Sequence, residues 1–279
     1  MTVILMVKTM AENSKIETCD HTHNAWMGCT KVSPGCKFCY AEELMETRYK
    51  KVKWGPQGTR IHTSKAYWRK PVQWNKETWR ECVACGFRGK VGLDEPYYLC
   101  RCGSRQTKPT RQRVFCGSLM DVFEDNPRVA DWRSELLDLI TATSNLDWLL
   151  LTKRPENIMA FSHYALPDNV WIGTSIENRD TTERIGHLLA APAKIHFLSV
   201  EPMLEPIELF EPQRLDWVIC GGESGPHARP MEVAWAQDLY EQCKAAGVPF
   251  FMKQDSGTYP GRQGRIPDEL WKVKEFPNA

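Results

Sequence analysis

Cys29, Cys36 and Cys39 stand at a C-x6-C-x2-C spacing inside Gly28-Cys-Thr-Lys-Val-Ser-Pro-Gly-Cys-Lys-Phe-Cys-Tyr-Ala41. Three thiolates in one short loop suit a metal, and soft sulfur ligands favour zinc or an iron–sulfur cluster. The ligand count separates the two. A structural zinc site closes with four ligands. A cubane cluster held by three cysteines leaves one iron open, and an open iron can bind and activate a small molecule. The alternative is a zinc knuckle that draws its fourth ligand from the nearby Cys19, His21 or His23. Otherwise the two histidines read as polar loop residues or as partners behind the cluster ligands.

A second group lies at Cys82, Cys85, Cys100 and Cys102, two knuckles separated by fourteen residues. This pattern resembles a small zinc ribbon, with Gly86 and Gly103 supplying the permissive backbone at each knuckle. Four cysteines would also fill an auxiliary iron–sulfur cluster. The run from Arg101 to Arg113 carries five bases and no acid. It is either a phosphate-tracking arm or a solvated loop. Residues 62–80 interleave Tyr67, Trp68, Trp74 and Trp79 with Lys65, Arg69, Lys70, Lys76 and Arg80. They form either a stacking surface for nucleic acid or a lid packed on the core.

These groups need elements to hold them. A helical pattern follows the cysteine loop over residues 41–50, and a short first strand is expected just before the loop. From residue 113 onward, short apolar runs recur at Arg113–Ser118, Leu146–Lys153, Val170–Ser175, Lys194–Glu201, Leu215–Gly222 and Val248–Lys253. Such runs read as strands buried on both faces. Helical patterns at Asp131–Thr141, Asp180–Leu189 and Val233–Lys244 alternate with them. The expected fold is α/β, a full or partial parallel (β/α) barrel of about seven strands with the four-cysteine module inserted.

In such a barrel the C-terminal strand ends build the site. There the sequence places Gly117, Ser118 and Asp121; Lys153 and Arg154; Thr174, Ser175 and Glu177; Ser199 and Glu201; Gly221, Gly222 and Glu223; and Lys253. The cysteine loop follows the first strand and falls on the same rim. Gly221 and Gly222 would allow close backbone approach to a ligand. Glu177, Glu201 and Glu223 could accept hydrogen bonds from a ligand, and Lys153 and Lys253 could meet a carboxylate or phosphate.

The chain has 279 residues and a net charge of +1, so overall charge does not announce a nucleic-acid partner. Eleven cysteines, an odd number with seven in two clusters, read as metal binding in a reducing cytosol rather than as disulfides. The run Met1-Thr-Val-Ile-Leu-Met-Val7 is too short for a signal core or a membrane span. Residues 1–15 read as a disordered extension with Met10 a candidate start. Residues 16–80 read as the cluster loop and the start of the barrel, 81–112 as the cysteine insert with its basic arm, and 113–279 as the rest of the barrel.

Six motifs together resemble the phage-encoded radical S-adenosylmethionine (SAM) family long known only as phage proteins of unknown function. They are Met10-Ala-Glu-Asn-Ser-Lys-Ile-Glu, the cysteine loop, Leu150-Leu-Thr-Lys-Arg-Pro, Trp171-Ile-Gly-Thr-Ser-Ile-Glu-Asn, Leu198-Ser-Val-Glu-Pro-Met and Trp217-Val-Ile-Cys-Gly-Gly-Glu-Ser-Gly-Pro-His-Ala-Arg-Pro. The resemblance covers nearly the whole chain. It implies a 4Fe-4S cluster on Cys29, Cys36 and Cys39, S-adenosylmethionine as cofactor, and an external electron donor. Cys29, Cys36, Cys39, Lys153 and Glu201 are then the candidate catalytic residues. Tyr40, Gly117, Ser118, Ser175, Glu177, Gly221, Gly222 and Glu223 are candidates for holding the cofactor, and Cys82, Cys85, Cys100 and Cys102 for holding zinc. The resemblance also implies hypermodification of thymine in phage DNA, as protection from host restriction, in the cytoplasm of the infected cell. The implied reaction converts N-linked glycyl-thymine to the C-linked form, an isomerisation. Two other readings stand beside it: radical repair of a thymine photolesion, and a non-catalytic zinc adaptor for nucleic acid.

Overall fold

The apolar runs form seven strands: β1 (His21–His23), β2 (Gln112–Cys116), β3 (Leu146–Thr152), β4 (Val170–Ser175), β5 (Ile195–Val200), β6 (Trp217–Gly221) and β7 (Phe250–Gln254). The computed structural model describes residues 12–90, 100–162 and 166–277. The strands pair in parallel and in chain order, and β1 does not pair with β7. The sheet is therefore a curled half-barrel, the partial form of the expected fold. Helices α1 (Ala130–Ala142), α2 (Ile158–Phe161), α3 (Arg184–Leu189) and α4 (Val233–Ala246) return the chain between strands. A 3-10 turn at Pro212–Arg214 takes the place of a helix between β5 and β6. Among the described residues no helix is long and apolar enough to cross a membrane.

Alternate side chains on a strand face opposite sides of the sheet. Leu150, Ile172, Leu198 and Val218 pack outward under Leu136, Leu188 and Leu239 of the helices. Leu149, Trp171, Phe197, Trp217, Ile219 and Phe251 form a separate cluster on the inner face. Burying Phe197 or Phe251 there contributes roughly 1.5–3 kcal/mol each. Gly173 makes room for this floor, since a Cβ at that position would lie 2.3 Å from the Phe197 ring.

Residues 1–11 lie outside the described residues, and so does most of the expected extension. Residues 12–17 are tied down. Glu12 pairs with Lys70 at 2.8 Å, the Ser14 amide donates to the Asp20 carbonyl at 2.8 Å, and Glu17 reaches Lys274 beside β7 at 2.8 Å. The aromatic segment proves to be packed. Helices Lys65–Trp68 and Lys70–Trp74 lie on β1, with Trp74 stacked on His21 at 4.1 Å and Tyr67 on His23 at 4.9 Å. The expected helix after the cysteine loop is one α-turn, Tyr40–Glu42, widening to π geometry over Glu43–Arg48.

Strands Trp79–Cys82, Arg88–Lys90 and Thr107–Thr110 form a separate antiparallel sheet that carries the second cysteine group. It is anchored at the N-terminal ends of the barrel strands. Its last strand runs through Arg111 directly into β2, Arg88 pairs with Asp20 before β1 at 3.0 Å, and Arg111 meets Asp147 of β3 at 3.4 Å. The module thus joins the barrel at the end opposite the cysteine loop.

His23 is fully buried among Tyr67, Trp68 and Trp148, and neither ring nitrogen has a partner. Burial pushes its pKa down to about 3. Between pH 6.5 and 3 the unfolded chain binds a proton that the folded state refuses, so stability falls as pH falls. We expect His23→Phe to flatten that acid slope by up to about 1.4 kcal/mol per pH unit. Urea unfolding of both proteins at pH 7, 6 and 5 measures this, and identical slopes would contradict it.

Candidate functional site

The inner-face alternation that builds the floor also builds the mouth. On β3 the series Leu149, Leu151 continues to Lys153, and on β5 Ile195, Phe197 continues to Ser199 and Glu201. On β4 Trp171 and Gly173 lead to Ser175 and Glu177, and on β7 Phe251 leads to Lys253. Each strand changes from apolar to polar along one face towards its C-terminal end. Above the floor lies a cavity of 1280 Å³. Cys29, Cys36, Cys39, Tyr40, Gly117, Ser118, Lys153, Ser175, Glu201, Gly222 and Glu223 all line it, so the structure brings together most of the candidates drawn from separate motifs. Glu177 and Gly221 stand behind the wall.

The three rim glutamates have different tasks. Glu177 is fully buried. It pairs with Lys153 and Arg184 at 3.0 Å each and accepts from the Ser33 hydroxyl at 2.9 Å. Burial works to raise its pKa, but the two cations outweigh that and hold it below the ordinary carboxylate value. Gly35 sits against the same carboxylate, where a Cβ would meet Glu177 at 2.5 Å. Glu223 takes a fork from Arg229, whose remaining Nη1 donates to the Pro34 carbonyl at 3.0 Å. Two of the three glutamates therefore clamp the turn Ser33-Pro34-Gly35 between the cysteines and are not free for a ligand. Glu201 also lines the cavity, with Lys253 beside it at 2.8 Å, and accepts from Ser199 at 3.0 Å; unlike the other two it does not hold the cysteine turn.

The glycines serve packing as well as access. A Cβ on Gly221 would meet Glu201 Oε1 at 2.7 Å, and one on Gly222 would meet the Ser256 backbone at 2.3 Å. Tyr40 is half exposed and donates to the Ser118 carbonyl at 2.6 Å, closing the wall beside the cysteine loop. Lys153 lies close enough to Cys36 for charge coupling. Burial alone would lower its pKa, and Glu177 together with Cys36 holds it above its ordinary value. Ser33, Arg184 and Arg229 were not among the candidates from sequence. Arg184 lies in the expected helical pattern and Arg229 in the last motif, and only the need of buried glutamates for cations could have pointed to their role.

The two cysteine groups differ in geometry. Tetrahedral zinc at 2.3 Å from each sulfur sets its ligand sulfurs about 3.8 Å apart. Cys82 and Cys102 stand 3.6 Å apart, and Cys85 and Cys100 3.4 Å. Among the described residues this is the one group of three or more Cys, His, Asp or Glu whose ligand atoms all lie within 4.8 Å of one another. It can hold a metal ion such as zinc. The four thiols share ionisation unequally: burial opposes it at Cys82, yet the N–H groups of Cys85 and Ala84 and the facing thiols pull Cys82 down to about 6, while the facing thiols push Cys85 up and Cys100 up to about 12, so a bound metal must displace protons there. Cys29, Cys36 and Cys39 do not form such a group, with or without Cys19, His21 or His23. Burial, with help from Asp121, pushes the Cys29 thiol up to about 12 against the pull of Arg154. A metal bound there must displace that proton.

The model of a family described as protein of unknown function, DUF5131, matches residues 13–270. No curated protein and no solved structure matches the chain.

Two outcomes follow from this geometry. Native protein should hold one metal equivalent at the second group, lost in Cys82→Ser when measured by elemental analysis; equal metal content in both proteins would contradict it. Glu177→Gln should leave the half-buried Lys153 and the buried Arg184 without their carboxylate and cost about 3 kcal/mol in urea unfolding. Amide exchange in residues 29–39 should rise with it, and an unchanged exchange rate there would show that the turn is held by something else.

Proposed function

We propose that this chain, which belongs to the DUF5131 family, is a radical SAM enzyme acting on a modified thymine base in DNA. The single observation that carries the reading is the placement of three cysteines. They sit in one clamped loop on the C-terminal mouth of an open parallel half-barrel, over a cavity of 1280 Å³. That volume exceeds the roughly 300–1,000 Å³ of a site for one drug-sized ligand. It suits a nucleoside cofactor together with a base. A cubane would take each of the three sulfurs on a different iron. When bound, such a cluster and S-adenosylmethionine supply a 5′-deoxyadenosyl radical that takes a hydrogen atom from the substrate.

The chain's own residues then have definable work. Lys153 and Arg154 place positive charge beside Cys36 and Cys29. The floor of Leu149, Leu151, Phe197 and Ile219 keeps water from the inner end of the cavity. The Glu201–Lys253 pair offers an acceptor and a donor to an amine and a carboxylate on a ligand. The four-cysteine module, read here as a structural zinc site, joins the opposite end of the barrel, so a DNA base would meet the mouth without it, turned out of the stack.

The reaction we favour exchanges the bond between the thymine methyl carbon and the glycyl nitrogen for a bond to the glycyl α-carbon. The hydrogen atom taken from the substrate would return to the rearranged product from 5′-deoxyadenosine, so hydrogen count and mass are unchanged. Anaerobic reconstitution should give a brown protein that forms 5′-deoxyadenosine with a strong reductant, and Cys29→Ala should abolish it. Digested nucleosides from glycylated DNA should show a new peak of the same mass and different retention. Cleavage of S-adenosylmethionine with turnover of irradiated DNA alone would move the assignment to photolesion repair. A colourless protein with zinc at both cysteine groups would leave a nucleic-acid adaptor.

A further inference from the structure

Arg154 leaves the end of β3 with 7 % of its surface exposed. Its guanidinium donates from Nη1 to Asp121 Oδ2 at 2.7 Å and from Nη2 to the Thr30 carbonyl at 2.7 Å. The same Nη1 stands 3.7 Å from Cys29 Sγ, within reach of an N–H···S hydrogen bond. Asp121 is itself fixed, since it accepts from the Thr152 hydroxyl at 2.6 Å and the Lys153 amide at 3.1 Å. On the other side Arg60, braced on Glu124 at 2.6 Å, donates to the Thr30 hydroxyl at 2.9 Å. The dipeptide Cys29–Thr30 is gripped between two buried, carboxylate-backed arginines. Among the described residues Cys36 has the neutral Ser33 hydroxyl at 3.7 Å as its side-chain hydrogen-bond partner, with the Lys153 charge nearby.

A donor on a ligating sulfur draws electron density from it, and an adjacent cation favours the electron-richer state. Both raise the reduction potential of the metal centre. The buried setting strengthens both effects relative to water. The carboxylate of Asp121 opposes them from behind the guanidinium. We infer that Arg154 is a positioning residue that sets the reduction potential of the centre held by Cys29, through its N–H···S contact, with Asp121 as the counterweight. This rests on the reading that the loop carries an iron–sulfur cluster.

The test is a redox titration of anaerobically reconstituted full-length protein, followed by electron paramagnetic resonance, with iron and sulfide measured on the same samples. Arg154→Gln should lower the reduced-to-oxidised ratio at fixed potential about tenfold, equal to about 59 mV for one electron. Asp121→Asn should move the ratio the other way, because it removes the counterweight and keeps the cation. Arg154→Lys, which keeps charge but loses the planar fork, should fall between wild type and Arg154→Gln. A cluster in Arg154→Gln with the wild-type midpoint overturns the inference. If Arg154→Gln binds no iron, Asp121→Asn decides, and an unmoved or lowered midpoint overturns it. A wild-type protein that takes up no iron overturns the proposed function, and this inference with it.

Discussion

One buried carboxylate holds together parts of the chain that lie 144 residues apart. Glu177, at the end of β4, binds Ser33 in the cysteine loop and is charge-balanced by Lys153 and Arg184. The loop has little regular structure of its own beyond the 3-10 turn Pro34–Cys36. It cannot place three sulfurs by backbone hydrogen bonding alone. Its position is borrowed from the barrel, and the barrel lends it through ion pairs that water cannot easily reach. Burial makes the arrangement stiff in one further way. Removing the carboxylate leaves two neighbouring cations without their counter-charge. Arg229 repeats the device from Glu223 onto Pro34, and the loop is pinned at two points.

Much of the fold was legible because it rests on continuous apolar runs. The strands from Leu146 to Gln254 fall within two residues of the expected runs, since a strand buried on both faces announces itself in Val, Ile, Leu, Phe and Trp. Closure was not legible. Whether β1 meets β7 depends on curvature, which no local run encodes. The packed aromatic segment over β1 was likewise open from sequence, because Trp68 and Trp74 beside lysines fit a solvent-facing surface as well as a cover. Contact with His21 and His23 decides it for the cover.

The site was legible in membership more than in role. Strand-end positions drew Lys153, Glu177, Glu201, Glu223 and Lys253 to one rim. Three glutamates on equivalent positions looked alike in sequence. They differ because their cations come from three places: a neighbouring strand end and α3 for Glu177, the same loop six residues on for Glu223, and β7 for Glu201. The second cysteine group shows the same limit. Its spacing announced a metal, but nothing in the spacing says which end of the barrel carries it. The pairs Arg88–Asp20 and Arg111–Asp147 fix it at the end away from the mouth.

The aromatic plug formed by Trp171, Phe197, Trp217 and Phe251 has a kinetic corollary. A chamber stopped at its base works as a blind alley. Of two guests that occupy it together, the deeper one has to arrive first and depart last. On the proposed function, binding and release would then follow a compulsory sequence, with the outer guest acting as the cork.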